Sequence, residues 1–166
     1  MKNENGITLI SLVVIVVIII ILSSIAIGYG TRSLDTVELQ NFNYELQQVQ
    51  GKVDIIHEKI KSGNEEYLTI GKNMTEEASS KARETLKKIR GIDYENIDLS
   101  SENIENYYSK EEVTSYRYFT EEDLKNELDI TSNPGDMIIN FETREAISVD
   151  GFEYEGKLYY CLKDMN

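Results

Sequence analysis

Residues 6–14 read GITLISLVV. A glycine closes a six-residue polar lead, MKNENG, and from Ile7 the chain turns apolar and stays so to Ile27. Sixteen of those 21 residues are Ile, Leu or Val and one is Ala26; only Thr8, Ser11, Ser23 and Ser24 are polar. As a helix rising about 1.5 Å per residue, the run matches a hydrocarbon core about 30 Å thick. Each Ile, Leu or Val near the centre favours insertion by roughly 0.3–0.6 kcal/mol, so sixteen of them decide for a membrane helix.

A cleaved secretory signal is the competing reading. Such signals have a basic start, an apolar stretch of about 7–15 residues and a small-x-small site. Here Lys2 is offset by Glu4 and the apolar stretch is longer, although Ala26-Ile27-Gly28 offers a site. Release there would give a secreted factor.

The order of residues at the start of the run carries a resemblance. Gly6, a hydrophobic residue, Thr8-Leu9-Ile10 and then an uninterrupted apolar span resemble the N-terminus of type IV pilins and pseudopilins. The likeness is to pilin-like proteins of low-GC Gram-positive bacteria and covers about the first 25 residues. The resemblance implies that a prepilin peptidase cuts between Gly6 and Ile7 and that Ile7 becomes the N-methylated residue. It further implies a filament built from other pilin subunits, membrane lipid around the stored subunit, and assembly-platform proteins as partners. The family usually carries a glutamate at the fifth mature residue, where this chain has Ser11. A charge pair at about 4 Å is worth on the order of 4 kcal/mol at an effective dielectric near 20. A neutral hydrogen bond gives about 1 kcal/mol. Ser11 is therefore the assembly position at which this chain departs, and it suits a minor component. Gly28 stands where many pilins have a helix-loosening proline.

Beyond Gly30 the helical pattern continues. Phe42, Leu46, Val49, Val53, Ile56 and Ile60 are spaced +4, +3, +4, +3, +4, one stripe of a helix. Leu34 and Val37 are read as extending it upstream. Lys61-Ser-Gly-Asn64 supplies the stop. The stripe is expected to pack on the protein's own globular part.

A second helix is expected from Thr75, through Ala78, Ala82, Leu86 and Ile89, to Gly91. A third should start at the Thr120–Asp123 capping box and include Leu124 and Leu128. Between them lies a Tyr-rich stretch with short strands near 105–109 and 114–119. The last third reads as a meander: MIINF, AISV, a turn at Asp150-Gly151, FEY, a turn at Glu155-Gly156, and KLYYCL.

The fold class is therefore α+β, a long N-terminal helix packed on a small antiparallel meander, pilin-like. Residues 1–6 form the leader, 7–28 the transmembrane or filament-core helix, 29–62 its amphipathic continuation and 63–166 the head.

Composition narrows function further. Thirty acidic against 17 basic residues give a net charge of −13, nearly all after residue 30. Such a surface repels nucleic acid and anionic headgroups. The one cysteine, Cys161, precludes an internal disulfide and reads as a small buried hydrophobe. The one histidine, His57, cannot by itself form a metal site or triad. Asp93, Glu95, Asn96, Asp98 and Ser100 lack the glycine and spacing of a calcium loop, and the acids around the Asn133-Pro-Gly turn do no better. Asn73-Met-Thr75 matches a glycosylation sequon, of small weight in a bacterial chain. No glycine-rich phosphate loop is present. The eleven tyrosines read mainly as core packing with hydroxyls at the surface.

The expectation is thus a non-enzymatic structural subunit of a type IV pilus or related secretion pseudopilus, with no cofactor and no metal. It would sit in the cytoplasmic membrane with its C-terminal domain outside, and at the cell surface once in a filament. The alternative is a single-span anchored binding or sensor domain that does not polymerise.

Overall fold

The structure is a computed structural model that describes residues 4–97 and 114–165, with side chains in the first part of the long helix described at 11–21, at 23 and from 35 onward. The chain divides into two units, Met1–Gln40 and Asn41–Asn166. Helix α1 spans Glu4–Lys61. Its first part is rich in Val and Ile, which are mediocre helix formers in water. A helix does, however, pair the backbone N–H and C=O groups of its interior with one another, which suits a segment with only four polar side chains to offer. The helix stops in a Schellman arrangement: Gly63 N–H donates to Ile60 O (2.9 Å) and Asn64 N–H to Lys59 O (3.1 Å). Gly63 takes φ +95°, the left-handed conformation that this stop needs and glycine adopts freely.

The second unit is a sheet between helices. Strands β1 (Lys72–Asn73), β2 (Tyr116–Phe119), β3 (Met137–Asn140) and β4 (Glu145–Ser148) form an antiparallel sheet in that order. Register pairs Tyr118 with Ile138 and Ile138 with Ile147. On one face lie Phe119, Met137, Ile139 and Ala146, which join Phe42, Leu46, Val49, Val53 and Ile56 of α1 in one apolar cluster. Helix α3 (Glu121–Leu128) adds Leu124 and Leu128 to it. The opposite face, Tyr116, Tyr118, Ile138 and Ile147, packs on Ala82 and Leu86 of α2 (Ser80–Arg90). Because both faces are covered, all four residues of β3 are buried and the strand shows no polar alternation.

Four expectations need correction. Val37 is exposed: it lies five residues before Phe42, and five residues turn a helix well off the stripe. Helix α2 starts at Ser80, capped by Ser79, whose Oγ accepts from Ala82 N–H. Thr75 is engaged elsewhere, since its N–H and hydroxyl both donate to Asn73 Oδ1. The C-terminal strands do not form one meander. β3 and β4 belong to the main sheet, whereas β5 (Phe152–Tyr154) and β6 (Lys157–Tyr159) form a separate two-stranded hairpin. Cys161 follows β6 rather than lying within a strand, and it is buried. Among the other expectations, the strand near 105–109 lies outside the described residues. The Thr120–Asp123 capping box is present in both directions.

The sheet's edges are closed by the chain itself. At β4, Ser148 N–H donates to Tyr160 O (2.8 Å), so the segment after β6 lies along that edge. At β1, Asn73 N–H donates to Glu77 Oε2 (2.9 Å) and Asn73 O accepts from Glu77 and Ala78. Closed edges discourage strand-to-strand joining of copies.

Leu46 is 1% exposed, and Leu46→Ala should destabilise the second unit by about 3 kcal/mol in denaturant unfolding. Gly51 lies in the interior of α1, and a Cβ built there meets nothing within 4 Å. Gly51→Ala should therefore raise stability by about 0.5–1 kcal/mol, read in the same titration.

Candidate functional site

The first unit presents an unusual surface. Leu12 through Ile21 are ten consecutive Leu, Val and Ile side chains, each 47–63% exposed. Ten successive residues go round a helix almost three times, so the apolar surface encircles α1 and gives it no wet face. A helix apolar all round belongs inside something else. Fully burying such a side chain is worth roughly 1.5–3 kcal/mol, and about half of each is still open, so covering ten is worth on the order of 10 kcal/mol. That is comparable to the net stability of a typical domain, about 5–15 kcal/mol. Among the described residues no helix is long and apolar enough to cross a membrane; within the run, the continuous stretch with described side chains is Ser11–Ile21.

Gly6, Ile7 and Ser11 all fall within the first two turns of α1. Ser11 is exposed, at the edge of the apolar surface. Proteolysis between Gly6 and Ile7 would cut inside the first turn of α1.

Elsewhere the polar constellations hold the head together. Among the described residues Glu145, 5% exposed on β4, is the most enclosed carboxylate. It accepts from the Arg90 guanidinium at the end of α2, from Tyr116 Oη (2.9 Å) and from Lys163 Nζ (3.5 Å). Burial alone would raise its carboxyl, but Arg90, Tyr116 and Lys163 outweigh burial and hold it below the usual range. Burial, with the carboxylate beside it, pushes the Tyr116 hydroxyl up. The network ties α2, β2, β4 and the C-terminal segment together, and nothing in the sequence linked Arg90 to Glu145.

His57 donates Nδ1–H to Phe141 O (2.8 Å), and Gln50, two turns earlier, donates to Arg144 O (2.9 Å). Both fasten the β3–β4 turn to α1, a structural use. The Asp93 carboxylate accepts from Lys87 Nζ (2.5 Å), Asn96 Nδ2 and Glu95 N–H, which makes it the organiser of a turn. Asp98 and Ser100 lie outside the described residues. Among those described, no three His, Cys, Asp or Glu side chains converge to hold a metal. At the Pro-Gly turn, Asp136 accepts from Tyr118 Oη and from Glu121 N–H. Tyr94, Tyr116 and Tyr118 are core residues.

Sequence reading missed the outward side of α1. Tyr44 and Ile55 are 60% and 55% exposed, and Gly51 lies between them on the face opposite the buried stripe. The spacing 44, 48, 51, 55 was the available signal. No protein-family model, curated protein or solved structure matches this chain.

Because the Glu145 carboxyl is depressed in the folded state, it contributes stability above the ordinary Glu value of about 4.5. That contribution is lost as pH falls through the folded value. Wild-type stability should therefore drop below about pH 4.5 more steeply than that of Glu145→Gln. Arg90→Ala should cost about 3 kcal/mol at neutral pH, since it leaves a buried carboxylate short of its main partner.

Proposed function

We propose that this chain is a structural, non-enzymatic subunit of a type IV pilus or related secretion pseudopilus, in the role of a minor pilin or pseudopilin. The observation that carries the reading is the girdle of exposed Leu, Val and Ile at residues 12–21 of α1. It follows a short polar lead that ends in Gly6 and the Thr8-Leu9-Ile10 pattern. The girdle has two successive covers in this account. Lipid surrounds it while the subunit is stored in the cytoplasmic membrane, with the head outside. Neighbouring subunits surround it once the chain is drawn into a filament, where van der Waals packing replaces lipid contact. The serines of the run leave room for close helix approach. The remaining partners in this reading are the prepilin peptidase and the assembly platform.

Ser11 favours a second reading. Without a carboxylate at that position, the chain lacks the charge that would draw in a neighbour's amino terminus. A single-span anchored binding or sensor domain that never polymerises is then the alternative.

Intact-mass and N-terminal peptide spectrometry of protein from its native membrane separates the two. The filament reading requires a chain beginning at Ile7 with one added methyl group. A chain beginning at Met1 would leave the anchored domain, and one beginning at Tyr29 a secreted factor. In cells that make filaments, Ser11→Glu should raise the share of this subunit per filament; an unchanged share would contradict the role given to Ser11.

A further inference from the structure

The end of the chain is tied mainly to itself. β5 and β6 pair with each other, apart from the main sheet. Asp164 then gathers the segment that follows. Its carboxylate accepts from Tyr160 N–H (2.8 Å) and Cys161 N–H (3.1 Å). Its own N–H donates to Cys161 O (3.1 Å), and its carbonyl accepts from Lys157 Nζ (3.0 Å). All of these bonds lie within residues 157–164, so moving the segment as a body breaks none of them.

The chain just before it is anchored elsewhere. Val149 O accepts from the Thr85 hydroxyl of α2 (2.9 Å), Val149 N–H donates to Asp136 O (3.0 Å), and Asp150 pairs with Lys81. Gly151 follows with φ +67°, a conformation glycine adopts freely. The Tyr160 ring lies over it, so closely that a Cβ there would fall 2.8 Å from the ring. At this glycine the anchoring passes from the sheet and α2 to the C-terminal body.

We propose that residues 152–165 are a flap, hinged at Gly151, that opens and closes over the β4 edge as one unit. Closed, it is latched by Ser148 N–H to Tyr160 O (2.8 Å), Lys163 to Glu145 (3.5 Å) and Lys88 to the Tyr160 hydroxyl (3.1 Å). Both lysines are exposed, where such contacts hold weakly. Apolar contact adds to the latch. Cys161 is buried and Phe152 stacks on Phe42 (5.4 Å), whereas Tyr159, Tyr160, Leu162 and Met165 are only partly buried. Partial burial puts the opening below global unfolding in free energy, since β3 and β4 are buried throughout. Open, the flap uncovers the outward N–H of Ser148, so it governs whether the β4 edge is free to pair with another strand.

The test follows the reaction of Cys161 with a dithiodipyridine reagent in the full-length chain, held in detergent micelles. Labelling should run at least about tenfold faster than global unfolding of the same sample allows. Its urea dependence should be much shallower than that of unfolding, because less surface is exposed. Gly151→Ala, which sets a methyl group against the Tyr160 ring, should speed labelling about tenfold. Lys163→Met should speed it about threefold. Leu124→Ala, in α3 beside β2, should leave it unchanged. Labelling that follows global unfolding in rate and urea slope would overturn the proposal. So would a rise of about a hundredfold with Leu124→Ala, the factor a lost core leucine implies when only global unfolding exposes the thiol. Labelling as fast as an unstructured thiol would overturn it too, since no closed flap would then exist.

Discussion

Five side chains on one face of α1, namely Phe42, Leu46, Val49, Val53 and Ile56, fill the space beneath the four-stranded sheet. Each is worth roughly 1.5–3 kcal/mol when buried, so together they contribute on the order of 10 kcal/mol. That is comparable to the whole net stability of a small domain. On that face α3 adds Leu124 and Leu128 to the same cluster, and Ile130, Phe141, Phe152 and Tyr159 pack around it. The second half of the helix is therefore part of the core of the head. The first half of α1 is continuous in the chain with this part of the core.

The same helix has two different obligations along its length. From Phe42 onward it is amphipathic and satisfied by its own chain on one side. From Leu12 to Ile21 it is apolar all round and exposed. The head compensates with a strongly acidic exterior and with sheet edges sealed by Tyr160 and by the Asn73–Glu77 turn. These devices oppose indiscriminate sticking. The Glu145 network fastens α2 and the C-terminal segment to the sheet from the other side. The core side chains of the two faces therefore belong to one cooperative unit.

Much of this was legible in the residues. The +4, +3 spacing from Phe42 to Ile56 identified the buried face because a helix that packs on one side must repeat its apolar residues at that interval. Thr120 and Asp123 announced α3 because the capping box is a local hydrogen-bond pattern written in four residues. The failures are equally physical. Thr75 has the character of a helix cap, but Asn73 recruits it into a turn, a competition that propensity does not resolve. The C-terminal strands looked like one meander because each turn is local, whereas pairing of β3 with β2 is a long-range choice decided by both cores. Arg90 and Glu145 lie 55 residues apart, and their pairing has no signature in either neighbourhood. Tyr44, Gly51 and Ile55 were readable at the same spacing as the core stripe, but one glycine and two large residues do not make an apolar pattern on their own.

The central claim is that the girdle at residues 12–21 is covered in the cell by lipid or by other subunits. Single cysteines placed at each of those positions, in a Cys161→Ser background, can be probed in intact cells with a charged, membrane-impermeant maleimide. Cysteines at the exposed positions Asp35 and Glu38 serve as the reactive reference. The account predicts that positions 12–21 stay unlabelled while the reference positions label fully. Labelling of 12–21 as fast as the references would mean that the girdle faces water, and would contradict it.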